Sequence, residues 1–512
     1  VQGAQRVRRS LLLVQLSRVL RGLLGLALVA CSRRHDPPEP KGGRASQPAL
    51  PVFEGSVAQD KPLAPLRTPQ NPHMAPNGRC AMHVDAASSD TYDVAGPHGF
   101  RTSVQTRAFG LVGGECPTIN FDRSGRLVAM CVGMRRPSLH LLEATSLREL
   151  ARFELPKRAE SFLRLRTAMQ DTSGGAYFYL DERDRAVVGT SEGTIEIVAL
   201  RDSAAPHFEV DASLDVRSAL ALRDPPDRLT AVLPDWEGRY WFTGRFGVVG
   251  VVTRGAAPRA LLLQGEEIEN SFSVGPDGVY IVSDHALYRF GLDQAGQPRV
   301  VWRAGYDRGT RRKVGQINQG SGTTPTLLGE RYVAIADNAE PRLQVVVFRR
   351  DAPVEVCRVP VFAPGASATE NSLVGYGRSL IVENNAGYDL FITMRGGRVS
   401  SPGVARVEIR EDESGCDVVW TSAEVSETVV HKLSTRTGLV YLYTKRPHPS
   451  GNLEAFYLTA LDFDSGATVF RVLAGTGIGF DNNWAELALG PDGAAYVGVL
   501  NGLVRISDGP QR

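Results

Sequence analysis

Charge of a single sign is the first thing missing. The 512 residues carry 58 basic and 56 acidic side chains, a formal balance of +2, which leaves no basic face for nucleic acid and no charged tail. Cysteine is scarce: six occur, none adjacent to another and none spaced C-x-x-C, excluding a structural zinc module and a dense disulfide scaffold. The nine His are scattered without an H-E-x-x-H, so a His-based zinc protease is excluded as well. Lysine stands at only six positions, and arginine supplies the other basic groups. Helical periodicity is almost absent. What is present is glycine (53), proline (31) and 42% hydrophobic residues, the makings of a large core laced with turns.

The front of the chain reads as an address. Arg6, Arg8 and Arg9 precede an apolar stretch broken at Ser17-Arg18, and Arg21 opens the run Gly22-Leu-Leu-Gly-Leu-Ala-Leu-Val-Ala30 before Cys31. Charge, short apolar segment and small residue are the parts of a secretory signal, too short to span a bilayer. Leu28-Val-Ala-Cys31 resembles the lipobox of bacterial lipoproteins, which implies acylation of Cys31 and attachment to a membrane surface through that anchor alone. The other reading is an ordinary signal or anchor helix with an incidental cysteine. Residues 1–30 are therefore expected to be a leader. Residues 31–78, rich in proline and without apolar periodicity, are expected to be a disordered tether. Residues 79–512 form the folded domain.

Self-similarity points to the fold. Gly238-Arg-Tyr-Trp-Phe-Thr-Gly-Arg-Phe-Gly-Val-Val aligns without gaps on Gly493-Ala-Ala-Tyr-Val-Gly-Val-Leu-Asn-Gly-Leu-Val. Gly275-Pro-Asp-Gly-Val-Tyr-Ile-Val recurs as Gly490-Pro-Asp-Gly-Ala-Ala-Tyr-Val. Each copy is a turn, a β-rich strand, a turn and another strand. Copies centre near residues 125, 183, 238, 278, 330, 377, 438 and 493. Four strands with turns fill such a period, so the expected fold is all-β: an eight-bladed β-propeller of four-stranded blades, strands A (inner) to D (outer). The last copy ends near Ser507 without an outer strand, whereas Arg101–Phe109 is a strand without a blade. Pairing the two would shut the ring and leave no edge exposed there.

Ala460-Leu-Asp462-Phe-Asp-Ser465-Gly466-Ala-Thr-Val-Phe470 resembles the Ala-x-Asp-x-x-Thr-Gly-x-x-x-Trp docking motif of propellers related to the pyrroloquinoline-quinone (PQQ) dehydrogenases. Looser echoes are Leu292-Asp293…Gly296…Trp302, Asp412…Ser414-Gly415…Trp420 and Leu142–Leu150. The resemblance implies that the aromatic residue wedges between blades while Asp and Gly hold the hairpin. It also implies either a quinoprotein enzyme or a non-enzymatic lipoprotein of outer-membrane assembly. Adjacent cysteines, a cofactor-floor Trp and a catalytic Asp motif are not found, so PQQ is not the expected cofactor.

Propeller geometry sends the D-to-A and B-to-C connections to one end of the channel and the A-to-B turns to the other. Three D-to-A connections carry an acid followed by an amide: Glu269-Asn270, Glu370-Asn371 and Asp481-Asn482. Two B-to-C turns do the same, Asp337-Asn338 and Glu383-Asn384. All ten residues should crowd one mouth, where carboxylates and amide carbonyls are hard oxygen ligands suited to Ca²⁺. The competing reading is that Asn and Asp merely cap turns with their own side chains. Basic groups at Arg135-Arg136, Arg245 and Lys445-Arg446 fall at the same end. The polar segment Gln319–Thr326 either lines the channel or is a hydrogen-bonded loop.

Gly189-Thr-Ser-Glu-Gly193 fits G-x-S-x-G but leads into a strand, whereas a nucleophile elbow leads into a helix. Cys116 and Cys131 flank the turn at 122–125 symmetrically, which allows either a disulfide or two buried thiols. The expected function is a lipid-anchored, extracytoplasmic, monomeric platform for an envelope protein or a small polar ligand, without nucleic acid and without a complete catalytic set. The alternatives are a cation-dependent propeller hydrolase or lactonase and, behind it, a PQQ-dependent oxidoreductase.

Overall fold

The first three blades begin with the same local chemistry. In Asp122-Arg-Ser-Gly125-Arg126 the aspartate Oδ1 accepts the amides of Ser124 and Arg126, and Oδ2 accepts the Arg126 guanidinium at 2.7 Å. Asp181 and Asp235 repeat the pattern with Arg185 and Arg239. The fourth residue must take a left-handed backbone, which glycine does at no steric cost: φ is +77° at Gly125 and +78° at Gly238. These turns set the register of the A and B strands on either side.

The computed structural model describes residues 50–109, 114–133, 136–158, 171–390, 400–451 and 453–510. The expected leader, Cys31 and Arg135 lie outside the described residues. The strands form eight antiparallel sheets, at 114–154, 178–215, 229–262, 273–305, 326–360, 374–422, 432–476 and 487–507; we number them blades 1 to 8. The eighth is completed by Ser103–Ala108, which pairs with Gly502–Ser507 from Ser103↔Ser507 to Ala108↔Gly502. The ring is shut by the two parts of the chain expected to meet.

Blades stack face to face, so their middle strands lose water on both sides and read as continuous apolar runs. Val248–Val252 and Tyr332–Ala336 are buried throughout. Outer strands such as Cys416–Ser422 are mostly exposed. The docking motif behaves as the resemblance implies. The Trp302 indole of blade 4 donates to the Arg350 carbonyl of blade 5 at 2.9 Å, and the Trp420 indole of blade 6 donates to the Phe463 carbonyl of blade 7 at 2.9 Å. Asp462 Oδ1 accepts from both the amide and hydroxyl of Ser465, and Phe470 is fully buried. Cys116 and Cys131 are joined as a disulfide. A second one joins Cys357 and Cys416, from the outer strands of neighbouring blades.

The tether expected over 31–78 does not hold from residue 50 onward. Phe53–Gly55 adds a strand to the outer edge of blade 7, Lys61 pairs with Asp462 at 2.5 Å, and the chain then crosses the A-to-B turns and enters the channel. There residues 71–92 dock on the channel-facing edges of the inner strands. Main-chain bonds run from Phe121 to Arg79, Ala75 to Leu180, Val274 to Ala86, Leu327 to Ala87, Gly375 to Ser89 and Leu433 to Asp90. The Asn71 amide reaches the Pro234 carbonyl at 2.9 Å, so seven of the eight blades are engaged. A segment without apolar periodicity cannot make a core of its own, but it needs none when a finished ring offers it a row of unpaired backbone groups. On leaving, the chain is pinned by Asp508, whose carboxylate accepts the amides of His98, Gly99 and Phe100.

Deleting residues 99–112 should abolish cooperative thermal unfolding, because Gly502–Ser507 loses its partner; an unchanged calorimetric transition would reject closure by this strand. Non-reducing peptide mapping should recover 116 linked to 131 and 357 linked to 416.

Candidate functional site

The D-to-A connections lead into the start of each inner strand, at the end of the channel opposite the A-to-B turns, where the docked segment reaches two of them through His83. Acids recur there: Glu115 ahead of blade 1, Glu269 of blade 4, Glu370 of blade 6, Glu427 of blade 7, and Asp481 and Glu486 of blade 8. Of these, Glu269, Glu370, Asp481 and Glu486 retain no more than 4% of their surface.

The ten residues expected at this mouth separate into two groups. Asp337 is a turn cap: Oδ1 accepts the amides of Ala339 and Gln344. Asn338 donates to the carbonyls of Arg308 and Arg311. Asn384 accepts from Ala368 and Ala386 and donates to Ala366 and Pro402. Asn482 donates to Ala485 and Gly498 and accepts the Thr428 hydroxyl. These four hold loops. Their bonding consumes most of the amide oxygens that calcium would need, and among the described residues no three of His, Cys, Asp and Glu lie close enough to hold a metal ion. At these four residues the turn-capping reading describes the bonding seen.

The second group keeps its oxygens free of protein donors. Both oxygens of Glu269 and of Glu370, Oε2 of Glu383, Oδ2 of Asp481 and Oε1 of Glu486 are buried and receive no hydrogen bond among the described residues. Glu269 of blade 4 and Glu370 of blade 6 lie near enough for each to act on the other's acidity. Their amide neighbours serve as braces: Asn270 accepts the Tyr177 hydroxyl at 3.0 Å and donates to the Gly322 carbonyl. Asn371 donates to Glu383 Oε1. His431, with neither ring nitrogen bonded, lies 3.5 Å from Glu383 Oε2. Asp481 accepts the Tyr388 hydroxyl at 3.0 Å, and Asn483 ties this pair to Glu115 at 3.1 Å. Lys445 answers Glu427 at 2.7 Å.

Loss of water dominates the acid–base behaviour. Burial pushes Asp481 up to about 7 and Glu115 up to about 8, against partial relief from Lys445 and from Asn483 respectively. Burial lifts Glu383 and Glu486 well above the carboxylate range. Glu370 is raised by burial and then by Glu269, and Glu269 is raised by burial despite Arg245. Burial lowers His431 to about 3, so it is neutral. Reading acid–amide doublets missed Glu115, Glu427, Glu486 and His431, none of which is followed by an amide. The signal that finds the acids is an acidic residue shortly ahead of an inner strand. Gln319–Thr326 is both things expected of it, bonded through Thr323, Thr324 and Thr326 and facing the docked segment at His83.

Acids whose folded values are raised contribute stability that is complete below their unfolded values, near 4, and is lost as pH rises through about 7 to 8. The melting temperature should therefore fall from pH 5 to pH 9. His98, raised to about 9 by Asp508 and Asp60, adds to the same slope. Asp481→Asn should flatten it, as read by calorimetry across that range; a melting temperature that rises over this window would reject the assignment.

No protein-family model matches the chain. An uncharacterized protein of Archaeoglobus fulgidus is 26% identical over 318 residues, covering 55% of this chain and 61% of that protein. The match thus spans less than two thirds of the relative. Among solved structures, quinohemoprotein alcohol dehydrogenase ADHIIG of Pseudomonas putida HK5 is similar over 86% of this chain and 82% of its own, at a TM-score of 0.53 and 10% identity. BamB of Moraxella catarrhalis is similar over 80% and 97%, at 0.41 and 13%, and a streptogramin B lyase over 79% and 97%, at 0.39 and 9%. Such identities speak for the fold alone. By fold, the chain is an eight-bladed β-propeller.

Proposed function

We propose that this propeller is an exported, lipid-anchored binding protein whose channel takes a small organic cation carrying one or more amines. The observation that carries the reading is the set of buried carboxyl oxygens at one end of the channel to which no described residue donates, beside the docked residues 71–92. Carboxyl groups held in a dry site and lacking donors are acceptors for a ligand that brings its own N–H groups and positive charge. An amine supplies both without requiring the octahedral or larger oxygen shell of a metal. Two disulfides among six cysteines support an oxidising compartment, consistent with the leader and lipobox-like cysteine read from the sequence. Specific recognition of an envelope protein is the lesser reading, because the donor-free groups are buried and out of reach of a protein surface.

Isothermal titration of the purified protein with spermidine should give a saturable exothermic signal. A hydrogen bond to a charged group contributes about 1.5–3 kcal/mol, so Glu269→Gln with Glu370→Gln should weaken binding by about tenfold or more. Absence of heat with spermidine, putrescine and arginine alike would overturn the cation reading. For the anchor, cells fed an alkyne fatty acid should yield labelled protein that Cys31→Ser abolishes; unlabelled wild-type protein would reject acylation.

A further inference from the structure

The docked segment brings a histidine into the channel where two inner-strand approaches meet. His83 Nδ1 lies 3.1 Å and 3.3 Å from the two carboxylate oxygens of Asp90. Asp90 is fully buried and is held in place by the equally buried Lys432, which also donates to the Met82 carbonyl at 2.6 Å. With its Nδ1 proton directed at Asp90, the ring presents the Nε2 lone pair on its far side. Two hydroxyls face that nitrogen: Thr324 Oγ1 at 3.2 Å and Ser372 Oγ at 3.5 Å. Thr324 is fully buried, whereas Ser372 keeps 7% of its surface. The Thr324 amide donates to Ser372 Oγ at 3.1 Å, which occupies one lone pair and leaves the hydroxyl proton to point at His83. Ser372 stands two residues from Glu370, in the same D-to-A connection.

We propose that Ser372, His83 and Asp90 form an acyl-transfer triad inside the channel, acting on a small ester whose alcohol portion carries a cationic amine. Hydroxyl, imidazole base and an orienting carboxylate in this order are what nucleophilic catalysis requires, and the hydroxyl–base distance in a ligand-free site is commonly longer than in the reacting complex. Ser372 Oγ bonds to the ester carbonyl carbon as its proton passes to His83 Nε2. The carbon–oxygen bond to the alcohol then breaks, and that oxygen takes the proton from Nε2. Water attacks the acyl carbon, giving a proton to His83 that returns to Ser372 Oγ as the carboxylic acid leaves. Asp90 is a positioning residue, holding the imidazole in the tautomer that accepts. The charge of the substrate rests on the cation reading above, with Glu269 and Glu370 as its subsite; the nucleophile does not.

The test uses the full folded chain and a neutral fluorophosphonate probe, with tryptic mapping of the adduct. The expected result is a phosphonyl adduct on Ser372, absent in Ser372→Ala and slowed at least tenfold in His83→Ala. The thermal transitions of Ser372→Ala and His83→Ala, read by calorimetry, should match the wild type, so that loss of reactivity is not confused with loss of fold. No adduct on the wild type, or an adduct that survives Ser372→Ala, overturns the triad and leaves His83 as a tether of the docked segment. A second measurement compares hydrolysis of 2-(dimethylamino)ethyl acetate, whose amine is protonated near neutral pH, with that of its neutral carbon isostere 3-methylbutyl acetate. Preference for the charged ester, reduced toward equality in Glu269→Gln with Glu370→Gln, supports the substrate class. Equal rates in the wild type overturn the charge assignment while a Ser372 adduct upholds the nucleophile.

Discussion

The inner strands of a propeller turn one hydrogen-bonding edge toward the channel, and in this protein those edges are occupied by residues 71–92. Backbone groups buried without partners are expensive, and six inner strands answer theirs with main-chain bonds to this one segment. The consequence is geometric. With the inner-strand edges covered by backbone in a fixed path, the D-to-A connections converge on a polar interior beside it. Closure by Ser103–Ala108 depends on the same path, since the segment must leave the channel, pass Asp508 and reach the outer edge of blade 8.

Within that interior, desolvation outweighs every local interaction. Glu383 and Glu486 each have a hydrogen-bond donor on one oxygen, from Asn371 and from the Ile119 amide, and remain strongly raised. Lys445 lies close enough to pair with Glu427, yet Asp481 stays raised as well. A site built this way is mostly protonated when empty near neutral pH, and it gains affinity for positive charge as protons leave. Binding of a cation and release of protons are then two descriptions of one equilibrium.

The ring was legible because its turns have a chemical signature. A glycine-bearing turn recurs ahead of an apolar strand at 125, 238, 278 and 493, and the orphan strand at 101–109 needed only the missing outer strand at the other end. Cys116–Cys131 was legible for the same reason, as facing positions across one hairpin. Cys357–Cys416 was not, because its two strands belong to neighbouring blades and meet only through packing of the ring. The docked segment was misread as a tether because its partners are mainly backbone groups, which leave no periodic mark in a sequence. The acid–amide doublets were found, but a doublet cannot say which way it faces. Asn338, Asn384 and Asn482 proved to be caps, while Glu269 and Glu370 proved to be donor-free, and that difference is set by tertiary burial.

The departures from ordinary protein chemistry are therefore concentrated at one place. Most of the ring is locally consistent, with capped turns, apolar middle strands and exposed outer edges agreeing on one fold. Against that background, buried carboxyl oxygens without donors are a cost the fold does not require, and such exceptions belong where function is. The docked segment ties the two regions together, because His83, a residue of the segment, touches Thr324 and Ser372 at the edge of the acidic interior. Any ligand that fills this interior and contacts those side chains binds the docked arrangement better than one with the segment displaced. By linkage it stabilises the docked segment by the same free energy. Ligand occupancy and the order of residues 71–92 are thus coupled, and the protein can report one through the other.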